Sequence, residues 1–254
     1  TASAALVVPH SPVGEHTDLE AVRAFAARCD VVTFDHEHVP PEVLEALVAD
    51  GVVLHPGPGA LRFAQDKLAM RERLTAAGLP CPEWSAVTDE SGLRRFGDEH
   101  GWPVILKTPR GGYDGKGVLV VHDAADPDAA AWLARAAESG EPLLAEERVP
   151  FVRELAVLVA RAPSGQASVW PVVETVQTDG ICTEVIAPAA GLDDDLAAVG
   201  KRGTASGGVQ RGKECVLHQH AGAGEPVEDR RLAGVGVAGD RDRRHLVDLA
   251  AVAL

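Results

Sequence analysis

The sequence VILKTPRGGYDGKGV, residues 104–118, decides how the rest of the chain is interpreted. Its apolar start ends in Lys107, and residues 102–109 and 117–123 flank a glycine-rich turn, which predicts an antiparallel hairpin. Glycines let backbone N–H groups approach phosphate oxygens that a side chain would keep away. The pattern therefore favours a phosphate site, although a plain β-turn with two solvated lysines is also consistent with it. It is not a Walker A loop, because no GK[ST] opens a helix after it.

Two flanking segments strengthen the phosphate-site interpretation. Glu146-Glu147-Arg148-Val149 lies about thirty residues on, and Arg153-Glu154-Leu155 then begins another strand. A linker strand that pairs with an adenine edge, followed by a carboxylate for ribose hydroxyls, would complete a nucleotide cleft. The alternative is an edge strand with surface charges. Upstream, Asp66 precedes Lys67, a second lysine at a helix start.

The first 65 residues alternate helix and strand signals. Residues 19–29 predict a helix with Leu19, Val22, Phe25 and Ala26 on one face. Residues 30–35 and 52–55 predict strands, and between them Pro40 and Pro41 open a helix that runs through Leu47 and ends at Gly51. This βαβ rhythm indicates a parallel sheet with helical crossovers.

Later segments predict further elements. Asp66 is suited to cap a helix over 67–77, and Asp126 one over 126–137. LLAEERV, RELAVLVAR and SVWPVVETV are strand candidates. After Gly200 glycine and arginine rise and the periodicity weakens, so this part is expected to be poorly ordered. There, only HLVDLAAVAL (245–254) predicts a helix.

Composition limits the function classes. The chain has 254 residues, 46% hydrophobic and 24% charged, as in ordinary globular proteins. No apolar run reaches about 18 residues, which argues against a membrane span. The net charge of -14 argues against nucleic-acid or membrane-surface partners. Four widely spaced cysteines suit a reducing, cytoplasmic setting, and the HEH (36–38) and HQH (218–220) histidines are not assigned to a metal.

Five blocks carry a family resemblance, which covers roughly residues 1–198: DVVTFDHEHVP, PGPGAL..AQDKL.MRERL, ILKTPRGGYDGKGV, LAEERVPFVRELAVLVAR and PVVETVQTDGICTEVIAPA. In order and spacing they resemble the N5-carboxyaminoimidazole ribonucleotide synthetases of the ATP-grasp superfamily. The resemblance implies an α/β fold: a partial Rossmann-like domain over 1–65, then an incomplete ATP-grasp domain over 66–198. Residues 199–254 do not match and are expected to form a disordered tail.

The resemblance also implies roles for particular residues. The expected ATP contacts are Lys67, Lys107, Gly112, Tyr113, Asp114, Gly115, Lys116, Gly117, Val118, Glu146, Glu147, Arg148, Val149, Glu154 and Gln177, the last in place of a usual histidine. The expected substrate contacts are Asp35, Glu37, His38 and Tyr113. The expected catalytic residues are Lys107, Asp114 and Lys116.

The implied activity is that of a C–N-forming ligase. Such enzymes use Mg-ATP to activate bicarbonate and carboxylate aminoimidazole ribonucleotide, and the family is commonly dimeric. The family's metal-binding NExAPRxHNSGH-like block has no counterpart in 199–254, so no metal ligands are assigned. We expect both ends to be truncated and the segment beyond 198 to come from a shifted reading frame. The alternatives are an inactive remnant that keeps part of the ATP cleft and, more weakly, a dinucleotide-dependent oxidoreductase, although no G-x-G-x-x-G follows a first strand.

Overall fold

The computed structural model describes residues 11–112, 116–162, 164–178 and 181–192, and the backbone of 248–253. Tyr113, Asp114, Gly115 and most of the predicted tail lie outside the described residues. None of the described helices is long and apolar enough to cross a membrane.

The first part of the chain packs three helices around a small apolar core. They are α1 (Leu19–Ala26), α2 (Pro41–Ala49) and α3 (Pro58–Gln65). The two predicted strands are wrong in extent, because only a single parallel bridge joins Val32 to Leu54. The predicted parallel direction is confirmed. The N–H of His55 donates to the carbonyl oxygen of Val32, and the chain then reaches Pro56, a residue that is disfavoured within strands.

Helix α1 corrects one predicted core position. Leu19, Val22 and Ala26 lie against the core, but Phe25 is 43% exposed. At 100° per residue, Leu19, Val22 and Ala26 span a narrow stripe, and Phe25 falls about 60° outside it. The sequence prediction therefore assigned one residue too many to the buried face of α1, and that residue, Phe25, lies at the surface.

A four-stranded antiparallel sheet follows, which we call the first sheet. It contains β1 (Trp84–Val87), β2 (Val104–Lys107), β3 (Val118–Val121) and β4 (Leu143–Glu147), in the order β1-β4-β2-β3. The predicted hairpin is confirmed as β2 and β3. Helices α5 (Glu90–His100) and α6 (Pro127–Ser139) contribute to the core on one face of this sheet. Helix α4 (Lys67–Ala76) precedes it, and the predicted caps at Asp66 and Asp126 are confirmed.

The second sheet contains β5 (Glu154–Arg161), β6 (Ala167–Val169), β7 (Val173–Thr178) and β8 (Ile181–Ile186), in the order β6-β5-β7-β8. SVWPVVETV is two strands and not one, because the chain breaks its pairing around Pro171. Strand β8, like α3, α5 and β1, was not predicted.

The helix expected within 245–254 is wrong. Asp248–Ala253 forms a strand, β9, paired antiparallel with Ala156–Arg161 of β5. Short apolar runs cannot be assigned to helix or strand by periodicity alone. Here the backbone of β5 supplies hydrogen-bond partners that an isolated sequence does not reveal.

The core beneath the first sheet gives a stability prediction. Leu106 is fully buried, so Leu106→Ala should lower the free energy of unfolding by about 2–5 kcal/mol through lost contacts and a cavity. Leu79 is 52% exposed, and Leu79→Ala should change it by no more than about 0.5 kcal/mol. Urea denaturation of both variants measures the difference. Equal effects would contradict the placement of Leu106.

Candidate functional site

The first sheet has an apolar face and a charged face. Val104 and Leu106 of β2 belong to the core. Because side chains alternate along a strand, Lys107 lies on the opposite face. In β4, Ala145 is in the core and Glu146 shares the face of Lys107. We call this second surface the site face.

Glu146 is the centre of the site face. It is 2% exposed, and its Oε2 lies 2.5 Å from Nζ of Lys107. Its Oε1 accepts a hydrogen bond from Nε of Arg71 in α4. Burial raises the pKa of Glu146, but the Arg71 hydrogen bond and the charge of Lys107 outweigh it and hold this pKa below its ordinary value. The carboxylate is therefore ionised and forms ion pairs with two cationic side chains.

Lys67 brings a further cation to the same place. Its Nζ donates to the carbonyl oxygen of Gly111 at 2.9 Å, at the stem of the glycine loop. Burial and the charge of Lys107 lower the pKa of Lys67, against the raising effect of Glu37 and other carboxylates. Lys107 ends β2, the strand that leads into this stem, so both ammonium groups belong to the base of the same loop. Such a pair suits a polyanionic ligand such as a phosphate chain.

The glycine loop connects β2 to β3. Its two ends approach each other closely at Gly112 and Gly117, and we call this close approach the glycine neck. Gly112 has φ 88° and Gly117 has φ 87°. A Cβ on Gly112 would lie 2.5 Å from the carbonyl oxygen of Lys116, and one on Gly117 would lie 2.6 Å from Oγ1 of Thr108. Side chains are therefore excluded from both positions. The Thr108 hydroxyl is buried and has no hydrogen-bond partner within the described part of the chain. This hydroxyl lies at the glycine neck, next to Gly112 and Gly117.

The second sheet holds the predicted ribose carboxylate. Oε1 of Glu154, at the start of β5, accepts a hydrogen bond from Nε2 of Gln177 at 2.8 Å and another from the Thr175 hydroxyl. The structure thus brings Glu154 and Gln177 together. The predicted hinge spans the end of β4 and the connection to β5, where Glu147, Arg148 and Val149 are more exposed than Glu146. Lys107 and Glu154 lie on separate sheets.

The predicted substrate contacts in the first domain are only partly gathered. Glu37 lies near enough for its charge to affect Lys67, and its carbonyl oxygen accepts from Nε2 of Gln65 at 2.8 Å. The Asp35 side chain is 95% exposed. The ring of His38 lies 5.0 Å from that of His36, centroid to centroid. Glu37 is thus the member of this set whose charge acts on Lys67.

The sequence prediction missed three polar groups. Arg71 was overlooked, although it follows Lys67 by four residues and so lies on the same side of α4. Thr108 and Gln65 gave no separate signal. Glu146 was expected to contribute its backbone, whereas its side chain organises the cations. Among the described residues, no group of three or more His, Cys, Asp or Glu side chains is placed to hold a metal ion.

Comparisons with known proteins identify the family of the chain. The ATP-grasp domain family matches residues 72–201, and the ribonucleotide synthetase preATP-grasp domain matches residues 1–65. An N5-carboxyaminoimidazole ribonucleotide synthase of Mycobacterium tuberculosis is 51% identical over 199 residues, which are 78% of this chain and 46% of that protein.

Solved structures show the same likeness. The carboxyaminoimidazole ribonucleotide synthase of Aspergillus clavatus complexed with ATP has a TM-score of 0.68 and 33% identity, over 79% of this chain and 52% of that one. The A. clavatus enzyme with ADP and 5-aminoimidazole ribonucleotide has a TM-score of 0.62 and 32% identity, over 75% and 48%.

The chain belongs to the ATP-grasp family, with a preATP-grasp domain ahead of the nucleotide-binding part. Within that class its relatives are the N5-carboxyaminoimidazole ribonucleotide synthases, as the sequence blocks predicted. The chain spans about half the length of the curated relatives that it matches.

The glycine neck gives a prediction with a matched control. Gly111 also has a positive φ, 67°, but a Cβ there would meet no atom within 4 Å. Gly111→Ala should therefore cost only the backbone strain of about 1–2 kcal/mol. Gly117→Ala should lower the free energy of unfolding further, because its Cβ also collides with Thr108. Urea denaturation compares the two variants, and an equal loss would argue against the neck.

The buried carboxylate gives a pH prediction. Because the folded-state pKa of Glu146 lies below its ordinary 4.5, its ionised form stabilises the fold above that pH, and this contribution is lost as pH falls through the folded value. At pH 7, Glu146→Gln should lower the free energy of unfolding by roughly 1–3 kcal/mol. The difference from the unsubstituted chain should shrink on acidification below 4.5. Urea denaturation across a pH series measures it, and a pH-independent difference would contradict the ionised pair.

Proposed function

We propose that this chain carries the ATP site of an enzyme that carboxylates 5-aminoimidazole ribonucleotide with bicarbonate, giving N5-carboxyaminoimidazole ribonucleotide. One observation carries the proposal: Lys67, whose Nζ binds the Gly111 carbonyl, and Lys107, which ends β2, both lie at the base of a glycine neck that excludes side chains. The ATP and ADP complexes of the A. clavatus relatives support it.

The charges of the site face suit this reaction. Joining phosphate, bicarbonate and a ribonucleotide brings anions together, so fixed cations and amide dipoles are needed to offset the developing charge. Lys67, Lys107 and the amides of the glycine loop would hold the phosphates. Glu154 with Gln177 would hold the ribose, and residues 146–149 the adenine. The proposal includes Mg²⁺, which would bind together with ATP and neutralise phosphate charge.

The substrate side is proposed on the first domain. Glu37, which already affects Lys67, would face the ribonucleotide together with Asp35 and His38. Tyr113, Asp114 and Lys116 would close over both ligands from the glycine loop. Asp114 and Lys116 join Lys107 as the proposed catalytic residues. The same proposal includes a homodimer, by resemblance to the family. It also includes a cytoplasmic location, which the widely spaced cysteines favour.

A non-catalytic ATP-binding remnant is the second candidate. It is favoured by one feature of the sequence, since residues 199–254 hold no counterpart of the family's Asn-Glu block. Both candidates bind ATP, and turnover separates them. ATP consumption that depends on both bicarbonate and aminoimidazole ribonucleotide supports the synthase, whereas ATP binding without consumption supports the remnant.

The ATP site is tested by Lys107→Ala. Removal of this ammonium should weaken ATP binding by about 1.5–3 kcal/mol, the value of a hydrogen bond to a charged group. Isothermal titration calorimetry measures the affinity. Arg94→Ala is the control, because Arg94 pairs with Glu90 on α5, away from the site face, and this variant should bind ATP as before.

Three outcomes would count against the proposal. No ATP binding by the unsubstituted chain would remove the ATP site altogether. An unchanged affinity in Lys107→Ala would remove Lys107 from it. Tighter binding of NAD than of ATP would favour the dinucleotide-dependent alternative.

A further inference from the structure

Arg71 occupies a place that the proposed function does not explain. It follows Lys67 by one helical turn, and its side chain is 16% exposed. Its Nε–H donates to one oxygen of Glu146, and the other oxygen of that carboxylate lies 2.5 Å from Nζ of Lys107. One carboxylate thus joins helix α4 to strand β2 through two cations.

The orientation of Glu146 determines where the Lys107 ammonium lies. A free lysine side chain samples many rotamers, and fixing one of them costs conformational entropy. Lys107 is 25% exposed at its side chain and meets a carboxylate that is 3% exposed. A buried carboxylate held on both oxygens has little freedom to rotate, so Lys107 is already ordered before any ligand arrives.

The charged groups around Glu146 come from two elements. Helix α4 contributes Arg71 and, at longer range, Lys67, and strand β2 contributes Lys107. Strand β1 places Trp84 opposite Glu146, and its indole donates to the Thr75 hydroxyl. Without Arg71, the carboxylate would keep one direct cationic partner. The attraction of the remaining cation would then offset less of the free-energy cost of burying the ionised Glu146 carboxylate.

We propose that Arg71 is a positioning residue: by holding Glu146, it fixes the Lys107 ammonium for the phosphate chain of a nucleotide. The inference rests on the proposed ATP site and extends it to a residue that acts through Glu146 and not through contact with the nucleotide. Lysine is an incomplete substitute, because it lacks the planar guanidinium whose Nε–H makes this bond.

ATP binding measured by calorimetry tests the proposal in the whole chain. Arg71→Met should weaken binding about tenfold, at the lower end of the cost of losing a charged hydrogen bond. Arg71→Lys should lose less. Arg73→Met removes an exposed arginine from the same helix and should leave the affinity within about twofold. Equal losses in Arg71→Met and Arg73→Met would overturn the proposal.

A double-mutant cycle separates positioning from general damage. If Arg71 acts through Lys107, Arg71→Met should cause little further loss of ATP affinity in a Lys107→Met background. Full additivity of the two losses would show that Arg71 acts independently of Lys107. That result would overturn the proposal.

A readout without nucleotide distinguishes failure of this inference from failure of the ATP site. Carboxyl ¹³C NMR of glutamate-labelled protein, assigned with Glu146→Gln, should show that Arg71→Met raises the pKa of Glu146 while Arg73→Met does not. If Arg71→Met does not fold, Arg71→Lys gives the same comparison with a smaller shift. An unchanged pKa of Glu146 in the folded Arg71 variants overturns the inference. An absence of ATP binding by the unsubstituted chain overturns only the proposed function.

Discussion

The ionised Glu146 carboxylate, buried in a β-sheet, constrains the structure around it. A charge in that position is tolerated only if cations reach it, and they come from two different elements, α4 and β2. Helix α4 must therefore lie over the site face of the first sheet with Arg71 directed inward. The same placement carries Lys67 to the stem of the glycine loop. Satisfying one buried carboxylate thus also assembles the cations that we propose for ATP.

The loop stem is fixed by backbone contacts as well as by charge. The N–H of Lys67 donates to the carbonyl of Pro109 at 2.9 Å, and its Nζ bonds the carbonyl of Gly111. Arg110, between them, pairs with Asp66 and with Glu141. Asp66 also caps α4, so one carboxylate serves both the helix start and the loop stem. These contacts keep the base of the loop in place, and Gly112 and Gly117 allow the chain to fold back on itself there.

Local signals in the sequence predicted much of the fold. The β2–β3 hairpin, helices α4 and α6 and their aspartate caps each depend on residues close together in the chain. The errors arose in segments whose secondary structure depends on a strand-pairing partner elsewhere in the chain. Residues 30–35 and 52–55 look like strands but share one bridge, and 248–253 looks helical but pairs with β5. Strand formation depends on a distant neighbour, which a local pattern does not contain.

By itself the sequence determined the family and the hairpin with its glycine loop, and it predicted Lys67 and Lys107 as phosphate-side cations, because these follow from motif order and short-range chemistry. The tertiary structure decided how those residues are held. Glu146 became the partner of Arg71 and Lys107, Glu154 that of Gln177, and Glu37 came close enough to influence Lys67. Each of these relations joins residues far apart in the chain, and only the packing of α4, the sheets and the first domain brings their charges within range.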